Sequence, residues 1–245
     1  MRGCWCRPSA AGLLADAFSS PEAKRRHVRR LFSTIADRYD LITAVLSYGQ
    51  DARWKRTLIA RAQLRPGERV LDLACGTGDI AFAAAAHDTR VVGLDITHRM
   101  LQLASRKSTA ATFLAGDITH LPFSARSFDV VTTGYGLRNV PDLKTAIDEI
   151  ARVLPPGGRL LSLDFNRPEW GPIRAAYLAY LTIVGGALGW LLHRDPDTYR
   201  YIPESIRRYP GAAGVAALLS AQGFTDVRIE PLLFGLMTLH IARRR

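Results

Sequence analysis

Two hydrophobic periodicities share this chain. Over residues 22–62 apolar positions recur at helical spacing, and Val28, Leu31, Phe32 and Ile35 fall on one face of a helix predicted over 22–35. A second apolar segment follows at 41–46 and another helical pattern at 54–62, with Tyr48-Gly49 and Pro66-Gly67 as punctuation. From residue 68 the pattern changes to short apolar runs alternating with amphipathic stretches. Strands are predicted over 69–74, 90–95, 112–115, 127–133 and 159–165. Helices are predicted over 79–86, 97–107 and 141–154, with Thr97 as an N-cap and Pro141 at a helix start. Two late runs, 226–230 and 235–241, read as strands that close the sheet. Strands separated by helices predict an α/β fold with a doubly wound, Rossmann-like parallel sheet.

One segment breaks the alternation. Residues 175–192 carry no formal charge, and eighteen such residues reach the threshold length for a membrane span. Three glycines, two tyrosines and a threonine weaken that reading. A helix on a globular domain, lining an apolar pocket or touching a membrane surface, is the better expectation.

Composition narrows the class. The 245 residues are 48 % hydrophobic and 22 % charged, which excludes wholesale disorder. The net charge of +11 sits on the flanks: residues 1–60 carry a net +6, residues 61–192 a net +2 and residues 193–245 a net +3. Such flanks suit nucleic acid or an anionic membrane, and equally a solvated face. Three cysteines (Cys4, Cys6 and Cys75) cannot make a disulfide framework and fit a reducing, cytoplasmic setting. No cysteine–histidine spacing suggests zinc. Residues 1–21 have no secretory h-region and read as a disordered leader.

The sharpest local signal is Val70-Leu-Asp-Leu-Ala-Cys-Gly-Thr-Gly-Asp79. Gly76 and Gly78 permit a tight turn between a strand and a helix, whose first amides can hold an anionic group. Asp95 ends the next strand, where a carboxylate can accept from both hydroxyls of a ribose. Asp72 and Asp79 flank the turn. Carboxylates there would repel a pyrophosphate but suit an ammonium and a sulfonium, which points to S-adenosylmethionine rather than a dinucleotide. Asp117, at the end of the third strand, is placed to accept from an adenine amino group, or is an ordinary turn aspartate.

Longer strings carry a family resemblance. Asp72-Leu-Ala-Cys-Gly-Thr-Gly-Asp79 resembles the first motif of class I methyltransferases. Gly134-Tyr-Gly-Leu-Arg-Asn-Val140, Val153-Leu-Pro-Pro-Gly-Gly-Arg-Leu160 and Gly116-Asp-Ile-Thr-His-Leu-Pro-Phe123 resemble the ubiquinone/menaquinone biosynthesis C-methyltransferases of the UbiE/MenG type. So do Asp197-Thr-Tyr-Arg-Tyr-Ile-Pro-Glu-Ser-Ile206 and Ile35-Ala-Asp-Arg-Tyr-Asp40. The likeness runs from about residue 30 to 242. It implies a class I methyltransferase domain over 68–245, a helical segment over 22–67 packed on it, and a substrate-side helical insertion over 170–210. It also implies S-adenosylmethionine bound at Thr77, Asp95 and the Asp117-Ile118 pair, and methylation of a ring carbon of a polyprenylated quinol. Demethylmenaquinol is the first choice and a benzoquinol the next. Thr43 and Gly134 depart from the family pattern, at positions expected near the ring.

The chemistry needs alignment, exclusion of water and stabilisation of a phenolate. Arg138 and Asn139 follow the fourth strand, at the carboxyl edge where open α/β sheets bind ligands. Arg138 is the candidate to hold the phenolate or a water that takes the proton, unless it pairs with an acid. Asn139 is the candidate to orient a ring oxygen. The general base is left open among His120, His193 and Asp164. Tyr39, Tyr135, Asp164, Tyr199 and Tyr201 complete the expected substrate residues; for Tyr199 and Tyr201 core packing is the alternative. Cys75 is expected to pack beneath the turn.

A partner at an anionic membrane is expected, and a homodimer or a quinone-assembly complex fits the resemblance. Nucleic acid is not expected, because the fourth-strand segment lacks an Asn/Asp-Pro-Pro-aromatic string and the basic residues lack interleaved aromatics. A scaffold that binds the cofactor without turnover, or methylation of another phenolic metabolite, remains the alternative.

Overall fold

A computed structural model describes residues 16–196 and 198–245. The Cys4-Trp-Cys6 pair, most of the expected leader and Asp197 lie outside the described residues. Among the described residues the helices α1 (Pro21–Ile35), α2 (Tyr39–Leu46) and α3 (Asp51–Ala62) precede the sheet. Ser20 caps α1 by accepting from the Ala23 amide, and Pro21 follows where a missing N–H costs nothing.

The sheet then runs β1 (Arg69–Leu73), β2 (Arg90–Asp95), β3 (Thr112–Ala115), β4 (Val130–Gly134), β5 (Arg159–Phe165), β6 (Phe224–Leu232) and β7 (Met237–Arg244). Between the strands lie α4 (Asp79–Ala85), α5 (His98–Lys107), α6 (Leu143–Val153), α7 (Gly171–His193), α8 (Tyr201–Arg208) and α9 (Gly211–Ala221). Spatial order is β3-β2-β1-β4-β5-β7-β6. The first five strands are parallel, and β7 pairs antiparallel with both β5 and β6. The order reverses between β1 and β4, and the crevice beyond their carboxyl ends is where such sheets bind ligands.

At three element ends the structure adds a local detail that the sequence pattern does not carry. Asp142, not Pro141, caps α6, its carboxylate accepting from the Lys144 and Thr145 amides. Thr97 occupies the N-cap position of α5 but makes no capping bond; its amide instead donates to Asp95 at 2.7 Å. β4 starts late because Ser127 is used in a turn, donating to the Ser124 carbonyl, and the Phe128 amide goes to Val153.

Two apolar layers flank the sheet. On one face Trp54, Leu58 and Ile59 of α3 pack with Ile80 and Ala84 of α4 against Val70, Val130 and Leu161. On the other, Ile147 and Ile150 of α6 and Val215 and Leu219 of α9 pack against Leu71, Val131 and Leu160. Removing any one of these large side chains costs about 2–5 kcal/mol.

The uncharged run is the long helix α7. By length and composition it could cross a membrane. One side packs inward: Val184, Leu188 and Leu192 meet Ile35, Ile42, Leu46 and Tyr199, while Tyr177, Leu178 and Leu181 meet Ile206 of α8. Gly189 lets the return loop close on this helix, since a Cβ there would stand 2.5 Å from the Asp195 carbonyl oxygen. The opposite side exposes Ile183, Trp190 and Leu191.

Candidate active site

The glycine turn is built by left-handed backbone. Ala74, Gly76 and Gly78 have φ of +51°, +54° and +90°. A Cβ on Gly78 would also strike the Phe82 ring at 2.8 Å. The turn is fastened from β2: Asp95 accepts from the Gly76 amide at 3.0 Å and the Thr97 amide at 2.7 Å. Burial raises the Asp95 carboxyl above its ordinary value, and these two amides hold it back.

Asp72 is fully buried beneath the turn, and burial pushes its carboxyl up to about 7 against the restraint of Thr132, Lys55 and the Ala81 amide. Oδ1 accepts from Thr132 at 2.8 Å; Oδ2 is buried without a hydrogen-bond partner. Asp79 behaves oppositely. Burial opposes its charge, but Lys55 at 2.9 Å and Lys107 at 3.4 Å hold its carboxyl below the usual range. The acidic collar read from the sequence is therefore largely compensated: one member is raised and one is paired with two lysines from α3 and α5.

Three cavities converge here. The first, about 650 Å³, is bordered by Asp95, Thr97, Met100, Asp117, Ile118 and Asn139. A smaller one of about 290 Å³ lies against Asp72, Gly76, Thr77 and Asp79. A third of about 610 Å³ is apolar, walled by Leu31, Ile35, Ile42 and Leu46, with Arg138 and Thr43 among its few polar groups. Tyr39 and Tyr135 border all three. Tyr135 holds φ of +61°, a strained angle for a side chain of its size. Burial pushes the Tyr39 hydroxyl up to about 12.

Arg138 is buried and held on several sides. Its Nε and amide donate to Asp164 at 3.2 and 3.0 Å, and its guanidinium donates to Asn139 Oδ1 at 3.1 Å and Ser205 Oγ at 2.7 Å. It also lies over the Phe165 ring, 4.9 Å from the centroid. Asp164 is raised by burial and held back by Arg138. The acid partner for Arg138, the alternative left open by the sequence, is present in the structure.

The remaining expected residues divide. Tyr199 and Tyr201 line the apolar cavity with Tyr39, Tyr135 and Arg138. Asp164 borders none of the three; it stands behind Arg138. Asn139 faces the large cavity and not the apolar one, its Nδ2 donating to the Tyr135 carbonyl at 2.8 Å. Of the two departures from the family pattern, Thr43 borders the apolar cavity, but Gly134 borders the other two. A Cβ at Gly134 would meet Ile80 at 2.6 Å.

Asp117 borders the large cavity with its Oδ2 2.8 Å from Arg25 of α1, and its Oδ1 accepts from the Thr119 amide and hydroxyl. Thr77 donates to Asp40 at 2.7 Å. His193 contacts the Tyr199 hydroxyl at 3.0 Å, and His120 is exposed on a loop beside Thr119. Cys75 is buried, which raises its thiol.

Four site residues escaped the sequence reading. Asp51 and Lys55 of α3 reach under Tyr135, with Tyr135 Oη donating to Asp51 Oδ1 at 2.6 Å and Lys55 Nζ 2.6 Å from Asp51 Oδ2. Their four-residue spacing on a helix, followed by Trp54 and Leu58 on the packed side, was the available signal. Arg25 and Lys24 arrive from α1. Lys24 donates to the Arg138 and Val140 carbonyls at 3.1 and 2.6 Å, and burial together with the nearby Arg138 lowers its ammonium to about 8.

Comparison with known proteins decides the family. The profile of the ubiE/COQ5 methyltransferase family matches residues 20–244. A demethylmenaquinone methyltransferase of Beutenbergia cavernae is 42% identical over 217 residues, covering 89% of this chain and 90% of the relative. The chain belongs to the ubiE/COQ5 methyltransferase family. The Thermus thermophilus demethylmenaquinone methyltransferase is 41% identical, over 87% of this chain and all of the relative. A ubiquinone/menaquinone biosynthesis C-methyltransferase UbiE of Rubrivivax gelatinosus is 38% identical over 90% of the chain and 88% of the relative. Among solved structures, a SAM-dependent methyltransferase of Thermotoga maritima shares the fold, with a TM-score of 0.66 at 17% identity over 89% of this chain and 100% of that one.

This ubiE/COQ5-family protein is thus an S-adenosylmethionine-dependent methyltransferase, and its crevice fits that cofactor on its own terms. Asp72 Oδ2 is buried without a hydrogen-bond partner. A cationic amino-acid moiety beside Asp72 would supply one, and a hydroxylated sugar would fit beside Asp95.

Proposed function

We propose that this methyltransferase transfers a methyl group to a ring carbon of a polyprenylated quinol, with demethylmenaquinol as the acceptor. The observation that carries the proposal is the pairing of cavities: a crevice bordered by the carboxylates of Asp95 and Asp117 and an apolar cavity share Tyr39 and Tyr135 as their common wall. S-adenosylmethionine, when bound, supplies the methyl group. Asp95 would hold the ribose, Asp72 and Thr77 the amino-acid end, and Asp117 with Ile118 the adenine edge, helped by Gly76 and Gly78 in the turn. In the apolar cavity Arg138 would face the ring oxygen and stabilise it as a phenolate, since guanidinium stays charged even when buried. Asn139 and Asp164 would fix the guanidinium in place. Tyr199 and Tyr201 would pack the ring, and α1 and α2 would exclude water.

The outward face of α7 suits a substrate that lives in a bilayer. Ile183, Trp190 and Leu191 of α7 are exposed, as are Leu41 and Val45 of α2, the neighbouring helix. In a chain of net charge +11, we read this face as resting on an anionic membrane. Residues 170–210 would then act as the substrate-side cover.

The test is direct. Purified enzyme with isotopically labelled S-adenosylmethionine and a short-tailed demethylmenaquinol, kept reduced, should yield a ring-methylated quinol by mass spectrometry. Label found on oxygen, or no product from any quinol offered, would overturn the reading.

A further inference from the structure

The hydroxyl of Tyr135 is the start of a polar chain that no step so far has used. From the wall shared by the cavities, Tyr135 Oη donates to Asp51 Oδ1 at 2.6 Å. Asp51 Oδ2 stands 2.6 Å from Lys55 Nζ, which stands 2.9 Å from Asp79 Oδ2. Asp79 Oδ1 lies 3.4 Å from Lys107 Nζ, and Lys107 lies 2.7 Å from Asp40 on the half-exposed rim. Charged groups therefore run without interruption from an apolar cavity to solvent.

Resting on the quinol reading above, we propose that Tyr135 and Asp51 form the exit for the acceptor's ring-hydroxyl proton, Tyr135 as the catalytic residue that receives it and Asp51 as the positioning residue behind it. The step balances within these groups. The quinol O–H bond breaks as a new O–H forms on Tyr135 Oη; the original Tyr135 O–H breaks as one forms on Asp51 Oδ1. The products are a ring phenolate and a neutral carboxylic acid at Asp51. Carbon methylation releases one proton net: the ring C–H bond breaks after methyl transfer and its proton returns to the ring oxygen, so the hydroxyl proton is the one that must leave a site built to exclude water.

Other groups are less well placed. Arg138 is permanently cationic and Asp164 is already bonded to it and to two amides. Tyr199 is engaged with His193, and the Tyr201 hydroxyl is buried without a partner. The charged groups that act on Tyr135 are Asp51 from α3, Tyr39 from α2 and Asp164 from β5. Burial, then Asp51, raises the Tyr135 phenol far above its ordinary value, so it relays a proton and does not hold a charge. Lys55 is held above its ordinary value because Asp51, Tyr39 and Asp79 outweigh the burial that opposes its charge, which keeps Asp51 partnered throughout.

The test uses the full-length enzyme, reduced short-tailed demethylmenaquinol and a pH series from 6 to 10. Tyr135→Phe and Asp51→Asn should each lower kcat about 10²-fold at pH 7. That deficit should shrink about tenfold per pH unit once rising pH deprotonates the bound quinol unaided. Asp51→Glu should recover most of the loss, and calorimetric affinity of Tyr135→Phe for S-adenosylmethionine should stay within about threefold of wild type. A Tyr135→Phe kcat within threefold of wild type, or a deficit equal at every pH, would overturn the proposal while leaving the quinol reading intact. A wild-type enzyme that methylates no quinol would overturn both.

Discussion

The crevice at the glycine turn and the apolar cavity share a wall, yet they are built on different terms. The crevice is centred on the carboxyl ends of β1 and β2, where backbone amides fasten Asp95, and is completed by Asp117, Ile118 and Asn139 from the strands on either side. The cavity gathers Leu31 and Ile42 from the first helices, Arg138 from after β4 and Tyr199 and Tyr201 from beyond α7. The first therefore depends on few, strong polar contacts, and the second on packed area around one buried charge. Damage should be concentrated in the first and shared in the second.

Asp95→Ala gives the largest effect. It frees two amides, and hydrogen bonds to a charged group are worth about 1.5–3 kcal/mol each. Calorimetry should show affinity for S-adenosylmethionine lowered at least about 10²-fold. A loss under fivefold would mean the crevice is as forgiving as the cavity.

Arg138→Met is next, because it strands a buried carboxylate. Breaking such a pair costs about 3–5 kcal/mol, or roughly 10 °C in Tm for a chain of this size. An unpaired Asp164 has its folded-state pKa raised above the unfolded value, so stability is greatest at low pH and lost as pH rises. The deficit should be smaller at pH 5 than at pH 8. Replacing Asp164 by Leu as well should restore most of the Tm, since no charge then remains buried. If the double variant melts no higher than the single one, Arg138 is not placed by this pair.

These two variants also mark what the sequence could show. The turn at Gly76 and Gly78, the strand before it and Asp95 after it are neighbours in the chain, so spacing and periodicity exposed them. Strand 159–165 was readable to its last residue for the same reason: its leucines and Phe165 are close neighbours in the chain, and that pattern is local. The Arg138–Asp164 pair, Asp51 beneath Tyr135 and Arg25 on Asp117 are joined by tertiary packing, across 26, 84 and 92 positions in turn. No periodicity encodes such meetings. The acidic collar shows the cost most clearly. Asp72 and Asp79 were visible as a charge pattern, while Lys55 and Lys107, which reverse half of its meaning, were not.

Asp72 tests that reversal. Its carboxyl is raised to about 7 in the folded chain against 3.8 unfolded. Stability it contributes is complete below pH 4 and is lost as pH climbs to 7. At 1.36 kcal/mol per unit, the loss is about 4 kcal/mol. Asp72→Asn should therefore flatten the decline of Tm between pH 5 and 8. A decline unchanged in that variant would place the titration elsewhere.

The smallest effect belongs to the outer face of α7, where function and folding separate. Trp190 and Leu191 are 66% and 68% exposed, so replacing both by serine removes little packed area. Tm should move by less than about 2 °C, as surface substitutions usually do. Partial burial of the same two side chains in a lipid surface is worth about 1–2 kcal/mol, a fraction of the full transfer energy of a large apolar side chain. Sedimentation with anionic vesicles should then show wild-type binding that weakens with salt, and binding by the serine variant lower by about tenfold at each salt concentration. Salt dependence should be the same for both, because no charge has changed. If both proteins bind vesicles equally, the apolar cavity must be reached by another face of the molecule, and the contrast between a crevice fastened by polar contacts and a membrane-fed cavity fails at its outer end.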